Sequence, residues 1–129
     1  MRGPVLRSSQ IQVFAKTREE ECARKIRLDL EANHASKIAG IPDERLDRMI
    51  RNGIGRARSH KLTKQYTVAM FVELMFIVAP DFDEYPPVAT IFRRRDLDPD
   101  DKIDIIIEST SEEQWEDAKL RGNPAAWQE

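Results

Sequence analysis

Several sets of side chains in this chain have types that could do chemistry, and each can be held against the spacing that chemistry needs. Asp96, Asp98 and Asp100 fit positions 1, 3 and 5 of a calcium loop, but glycine at position 6 and glutamate at position 12 are replaced by Asp101 and Ile107. They read instead as acidic residues at the positive end of a helix. Asp81, Asp83 and Glu84 would hold a hard cation only if further oxygen ligands converged on them. The plainer expectation is that Asp81 and Asp83 bond nearby amides and shape a turn. His34 and His60 are the only histidines and Cys22 the only cysteine. A zinc site takes about four ligands, and a thiol or serine nucleophile needs a placed base. Neither set can be assembled, and Cys22 reads as a small core residue. Asn52-Gly53-Ile54-Gly55 lacks the lysine and the spacing of a phosphate loop. No catalytic, cofactor-binding or metal-ligating residue is assigned, and no enzyme is expected.

Arg45, Arg48, Arg51, Arg56, Arg58, Lys61 and Lys64 make the best case for nucleic acid, as a basic helix before a buried one. The arginines spread round that helix, however, and no aromatic residue is interleaved with them. Nucleic acid is not the expected partner.

These residues are positioned by one stretch, Tyr66 to Pro87. Glu73 is the only charge between Lys64 and Asp81, so its first part is apolar almost all round. Such a segment must be enclosed by its own domain or by a partner. Glu73 is read as a buried or rim ion pair with an arginine of the preceding helix; the alternative places it where the helix surfaces toward a partner. The candidate partner-binding residues are Phe71, Glu73, Met75, Phe82, Asp83 and Tyr85.

With 129 residues the chain reads as one helical domain, with loose ends at about 1–8 and 122–129. A chain of this size buries about two-thirds of its unfolded surface without a metal or disulfide. The single cysteine allows no internal disulfide, which fits a reducing cytoplasm. The start MRGPVLRSSQIQVF lacks an apolar run of signal-peptide length, and Val68 to Val78 is shorter than the ~20 residues that span a bilayer. No membrane association is expected. Net charge is −2, but residues 1–65 carry 15 basic and 8 acidic side chains, and residues 66–129 carry 6 and 15. Opposite halves of this kind can attract within the fold, or face a partner or a second copy.

Helical spacing organises the rest. Ser8 or Ser9 starts a helix to about Ser36 that buries Ile11, Phe14, Cys22, Ile26 and Leu30. Gly40 ends it or a short continuation. Pro42 and Asp43 open a second helix whose buried side is Leu46, Met49, Ile50, Gly53, Ile54 and Ala57, with Gly53 and Ala57 allowing another helix close. Thr63 is the expected cap of the apolar helix at about 64–78, which Pro80 ends, with Phe82 tucked inward. A short helix from Pro87 carries Val88, Ile91 and Phe92. Asp98-Pro99 starts a helix burying Ile103, Ile106 and Ile107; their strand-like alternation yields to helix-forming flanks. Ser109-x-x-Glu112 and Thr110-x-x-Glu113 match capping boxes for a last helix with Trp115, Ala118 and Leu120. The fold class is all-α: a compact bundle of five to six helices around the central apolar one.

Ile50-Arg51-Asn52-Gly53-Ile54-Gly55-Arg56-Ala57, His60-Lys61-Leu62-Thr63 and the stretch from Tyr66 through Glu84 together resemble small helical accessory proteins of bacterial type VI secretion clusters, encoded near VgrG or PAAR tip proteins and their effectors. The shared pattern is I-R-x-G-I-x-R-A, a polar loop, an apolar helix with L-M-F, then G-x-D-F-D-x-x-P. Leu74-Met75-Phe76, Asp81-Phe82-Asp83 and Pro86 match it, over a likeness that covers roughly Phe14 to Leu120. Ala79 stands where that family often has glycine, and Tyr85-Pro86-Pro87-Val88 lacks its proline-tryptophan. The resemblance implies an all-helical, non-enzymatic adaptor or co-chaperone that helps load an effector, its partner being the effector or its chaperone. An immunity protein that blocks a toxin is the alternative, favoured by the acidic second half.

Overall fold

Apolar residues at helical spacing and few strand-forming runs dictate packing of helix on helix. The computed structural model describes residues 8–127, with side chains from Thr17 onward. Seven α-helices and two 3-10 turns follow in order, with no strand among the described residues. They are α1 (Ser8–Asn33), α2 (Ala35–Ile38), α3 (Asp43–Ser59), α4 (Gln65–Ile77), α5 (Pro86–Phe92), α6 (Pro99–Ser109) and α7 (Glu112–Arg121). The fold is all-α.

Helix α1 buries Cys22, Ala23, Ile26 and Leu30; the expected burial of Ile11 and Phe14 lies outside the described residues. It stops at Asn33 rather than Ser36, and α2 follows after His34. Gly40 then takes a φ of 81°, a left-handed turn that favours a residue without a Cβ. Along α3 all six expected positions are buried. A Cβ on Gly53 would stand 3.1 Å from both Val72 methyls, so α4 comes as near α3 as the missing side chain permits.

Helix α4 packs against α1, α2, α3 and α6. Its start differs from expectation, because Thr63 does not cap it. The Thr63 hydroxyl instead donates 2.7 Å to Asp100, and the helix begins at Gln65. Asp100 also accepts from the amides of Thr63 and Lys64 and from the Thr67 hydroxyl. A carboxylate from α6 thus satisfies free amides at the start of α4, the task a local cap performs elsewhere. Burial would raise the Asp100 pKa, but the hydrogen bonds from Thr67, Thr63 and Lys64 outweigh it and hold it at about 2.

Two further expectations are corrected at the carboxyl end. The capping box is Ser111-x-x-Gln114: Gln114 N–H donates to Ser111 Oγ, and Ser111 N–H to Gln114 Oε1. Ser109 is not free to cap, since its hydroxyl bonds Ile105 O inside α6. The segment after Gly122 is not loose up to Trp127. Pro124–Trp127 form a 3-10 turn, and buried Trp127 packs on Phe76 with ring centroids 4.6 Å apart. An indole of that apolar area is a strong anchor, which a polar local sequence conceals.

Candidate functional site

Helix α4 is apolar on more faces than its neighbours can cover. Thr67, Val68, Phe71, Val72, Leu74 and Met75 are buried. Tyr66, Ala69, Met70, Glu73 and Ile77 fall at i, i+3, i+4, i+7 and i+11 on another side. They line a groove of about 810 Å³ whose other wall is Lys25, Leu28, Asp29 and Asn33 at the end of α1, with His34 just beyond it. Three large hydrophobic residues are exposed among those described, and two of them, Leu28 (52 %) and Tyr66 (61 %), line this groove.

Glu73 lies within that groove with its side chain 12 % exposed. The expected arginine of α3 is not its partner; His34 is, with Nε2 4.0 Å from Oε1. The reason is register: Glu73 points to the α1–α2 side of α4, away from α3. Burial, and next the charge of Asp29, push the Glu73 carboxyl above its ordinary value, while His34 pulls it back.

The other candidates divide differently. Phe71 and Phe82 are 0 % and 1 % exposed and Met75 is 1 % exposed, so these three build the core and present nothing to a partner. Phe71 and Phe82 pack 5.0 Å apart, centroid to centroid. Asp83 is buried and already engaged: Arg56 Nε and Nη2 donate to its two oxygens at 2.8 and 2.7 Å, and His60 Nε2 lies 2.7 Å from Oδ2. Burial would raise its pKa, but the bonds from His60 and Arg56 prevail and hold it below the usual aspartate value. Tyr85 is half-buried and donates its hydroxyl to Asp117 at 2.9 Å.

An aspartate that orients an imidazole can serve a general base, and a recess of about 470 Å³ beside His60 is lined by Glu84, Phe92 and Arg93. Two side chains that could serve as nucleophiles are engaged or enclosed. Ser59 Oγ donates to Arg56 O, and Cys22 is buried with its thiol pKa raised, first by that burial. His60 stacks on Phe92 at 4.1 Å, so the ring joins the α3–α4 corner to the Asp83 turn. Among the described residues, no three His, Cys, Asp or Glu side chains are placed to hold a metal ion, and no helix is long and apolar enough to cross a membrane.

Comparison with protein-family models, curated proteins and solved structures finds no match for the chain. The site therefore rests on geometry alone.

The arginines that looked free for nucleic acid are in part engaged. Arg51 pairs with Asp47, Arg56 with Asp83, and Arg58 with Glu19 while also donating to the carbonyls of Leu62 and Thr63. Sequence reasoning missed Tyr66, Ala69, Met70 and Ile77 as a surface, and missed Leu28 altogether. The available signal was the all-round apolarity of α4: α3 and α6 take one side of such a helix and leave another.

Proposed function

We propose that this chain is a non-enzymatic, protein-binding adaptor or co-chaperone, and that the groove between α1 and α4 receives its client. The carrying observation is that Leu28 and Tyr66, two large apolar side chains left in water, line the same groove. Exposed apolar surface gathered in a concavity is a mark of a docking surface, whereas single scattered residues are ordinary. The resemblance to type VI secretion accessory proteins supplies the client class: an effector, or the chaperone that escorts it. By covering apolar surface on that client, the adaptor would keep it soluble until loading.

Co-expression with the neighbouring effector genes tests this reading. An adaptor copurifies with the effector, and Ala69→Arg, which fills the groove with a charge, removes both copurification and export while toxicity persists. Recovery undiminished by Ala69→Arg, or rescue of cells from a toxin without any effect on export, contradicts it; the latter result identifies an immunity protein.

A further inference from the structure

The α4 wall of the groove is mostly apolar, the α1 wall sets Leu28 among polar residues, and the two walls meet in an acidic place. Glu73 from the middle of α4 and Asp29 from α1 both line it, close enough for the charge of Asp29 to act on Glu73. His34 answers Glu73 only at 4.0 Å, beyond hydrogen-bond distance. Lys25 is the other basic residue of the lining and belongs to the same exposed helix face as Asp29. A carboxylate with most of its side chain out of water, beside a second carboxylate, is under-compensated as the free protein stands.

Resting on the docking reading above, we propose that the occupant is an amphipathic helix of a partner protein, about three turns long, which places a lysine or arginine against Asp29 and Glu73. The length follows from the walls. Tyr66 to Ile77 spans eleven residue steps, ~16 Å at the helical rise of about 1.5 Å. A helix laid there would set apolar anchors at i, i+3 or i+4 and i+7 against Leu28, Tyr66, Met70 and Ile77. A central lysine or arginine suits the site on both counts, because its methylene stem packs along Met70 while its head reaches the carboxylates. An acidic or purely apolar central residue leaves Glu73 uncompensated or repelled.

The test uses synthetic labelled peptides of about 15 residues with identical leucine anchors and a central lysine, norleucine or glutamate. Fluorescence anisotropy reads their binding to the wild-type chain and to the double variant Asp29→Asn, Glu73→Gln, whose fold is checked by circular dichroism. On wild type the lysine peptide binds about tenfold more tightly than the norleucine peptide, and the glutamate peptide is weakest. In the double variant the three converge to within about twofold. If norleucine equals or exceeds lysine on wild type, the cationic occupant is overturned while an apolar docking groove survives. If no peptide binds but the effector still copurifies, the helical occupant is wrong and the adaptor reading stands; loss of both removes both. A concentration-dependent dimer in sedimentation, abolished by Ala69→Arg, would assign the groove to a second copy and also overturns the proposal.

Discussion

Asp100 and Thr63 are 37 residues apart in the chain, yet one carboxylate takes both the amide (3.0 Å) and the hydroxyl (2.7 Å) of that threonine. The bond joins α6 to the start of α4 and sets where the apolar helix begins. With Lys64 and Thr67 as further donors, Asp100 accepts from four groups, of which the buried Thr67 hydroxyl also reaches Lys64 O at 3.0 Å. Asp100→Ala is therefore expected to cost about 3 kcal/mol in chemical denaturation, since one buried carboxylate that accepts four hydrogen bonds is removed at once. A loss below ~1 kcal/mol would mean that water replaces the carboxylate freely.

The same residue makes the fold acid-sensitive. A carboxyl whose folded pKa lies below its unfolded value contributes stability that is complete above the unfolded value and fades as pH falls through the folded one. For Asp100 that window runs from 3.8 down to about 2, and Asp83 is shifted in the same direction. Thermal melts should decline across this range in wild type, and Asp100→Asn should flatten part of the decline.

Glu73 behaves oppositely. Its folded pKa is raised, so its contribution is best when protonated and is lost as pH rises from the ordinary value of 4.5 toward the folded value. Glu73→Gln should raise the melting temperature at neutral pH and leave it nearly unchanged at pH 4. A lower melting temperature at neutral pH would show that the His34 contact outweighs burial and Asp29.

Arg56 and Asp83 form a bidentate pair that is nearly closed off from water, with side chains 18 % and 5 % exposed. Removing Arg56 leaves the buried Asp83 with His60 as its remaining partner, so Arg56→Ala should cost about 3 kcal/mol, and the double variant Arg56→Ala, Asp83→Asn should cost less than the two single losses combined. Strict additivity in that double-mutant cycle would contradict the pairing.

Two glycines two residues apart in α3 should respond with opposite sign. A Cβ on Gly55 meets nothing within 4 Å, so Gly55→Ala should stabilise by roughly 0.5–1 kcal/mol through helix propensity. On Gly53 it would press on Val72 and on the Met75 sulfur at 3.1–3.2 Å, so Gly53→Ala should forfeit that gain and lose about 1 kcal/mol more. Equal responses would show that α3 and α4 are not packed this closely.

The all-helical fold and the buried side of α3 were legible because Leu46, Met49, Ile50, Gly53, Ile54 and Ala57 keep a strict helical interval. Burial of Phe82 was legible too, but the expected bonds of its flanking aspartates to nearby amides are not made: Asp83 is held by Arg56 and His60, and Asp81 accepts from the distant Asn123 N–H. Long-range polar partners were not legible. Nothing local announces that Asp100 caps α4, that Asp83 joins Arg56 to His60, or that Lys102 is buried with its ammonium donating to Phe92 O at 2.8 Å. Each depends on which helices meet, and chain spacing carries no record of that. Phe71 and Met75 fail as contact residues for a related reason. Apolarity marked α4 as a helix to be covered, and only its neighbours decide which side remains open.

The docking groove is tested most directly by a photo-crosslinking residue placed at Tyr66 and, as control, at Leu120, which is 85 % exposed and outside the groove. In cells of the source organism, the Tyr66 position should yield a single adduct that mass spectrometry identifies as a secretion effector or its chaperone, with none from Leu120. No adduct from Tyr66, or the same adduct from both positions, would contradict the proposal that the groove is a docking site for a client protein.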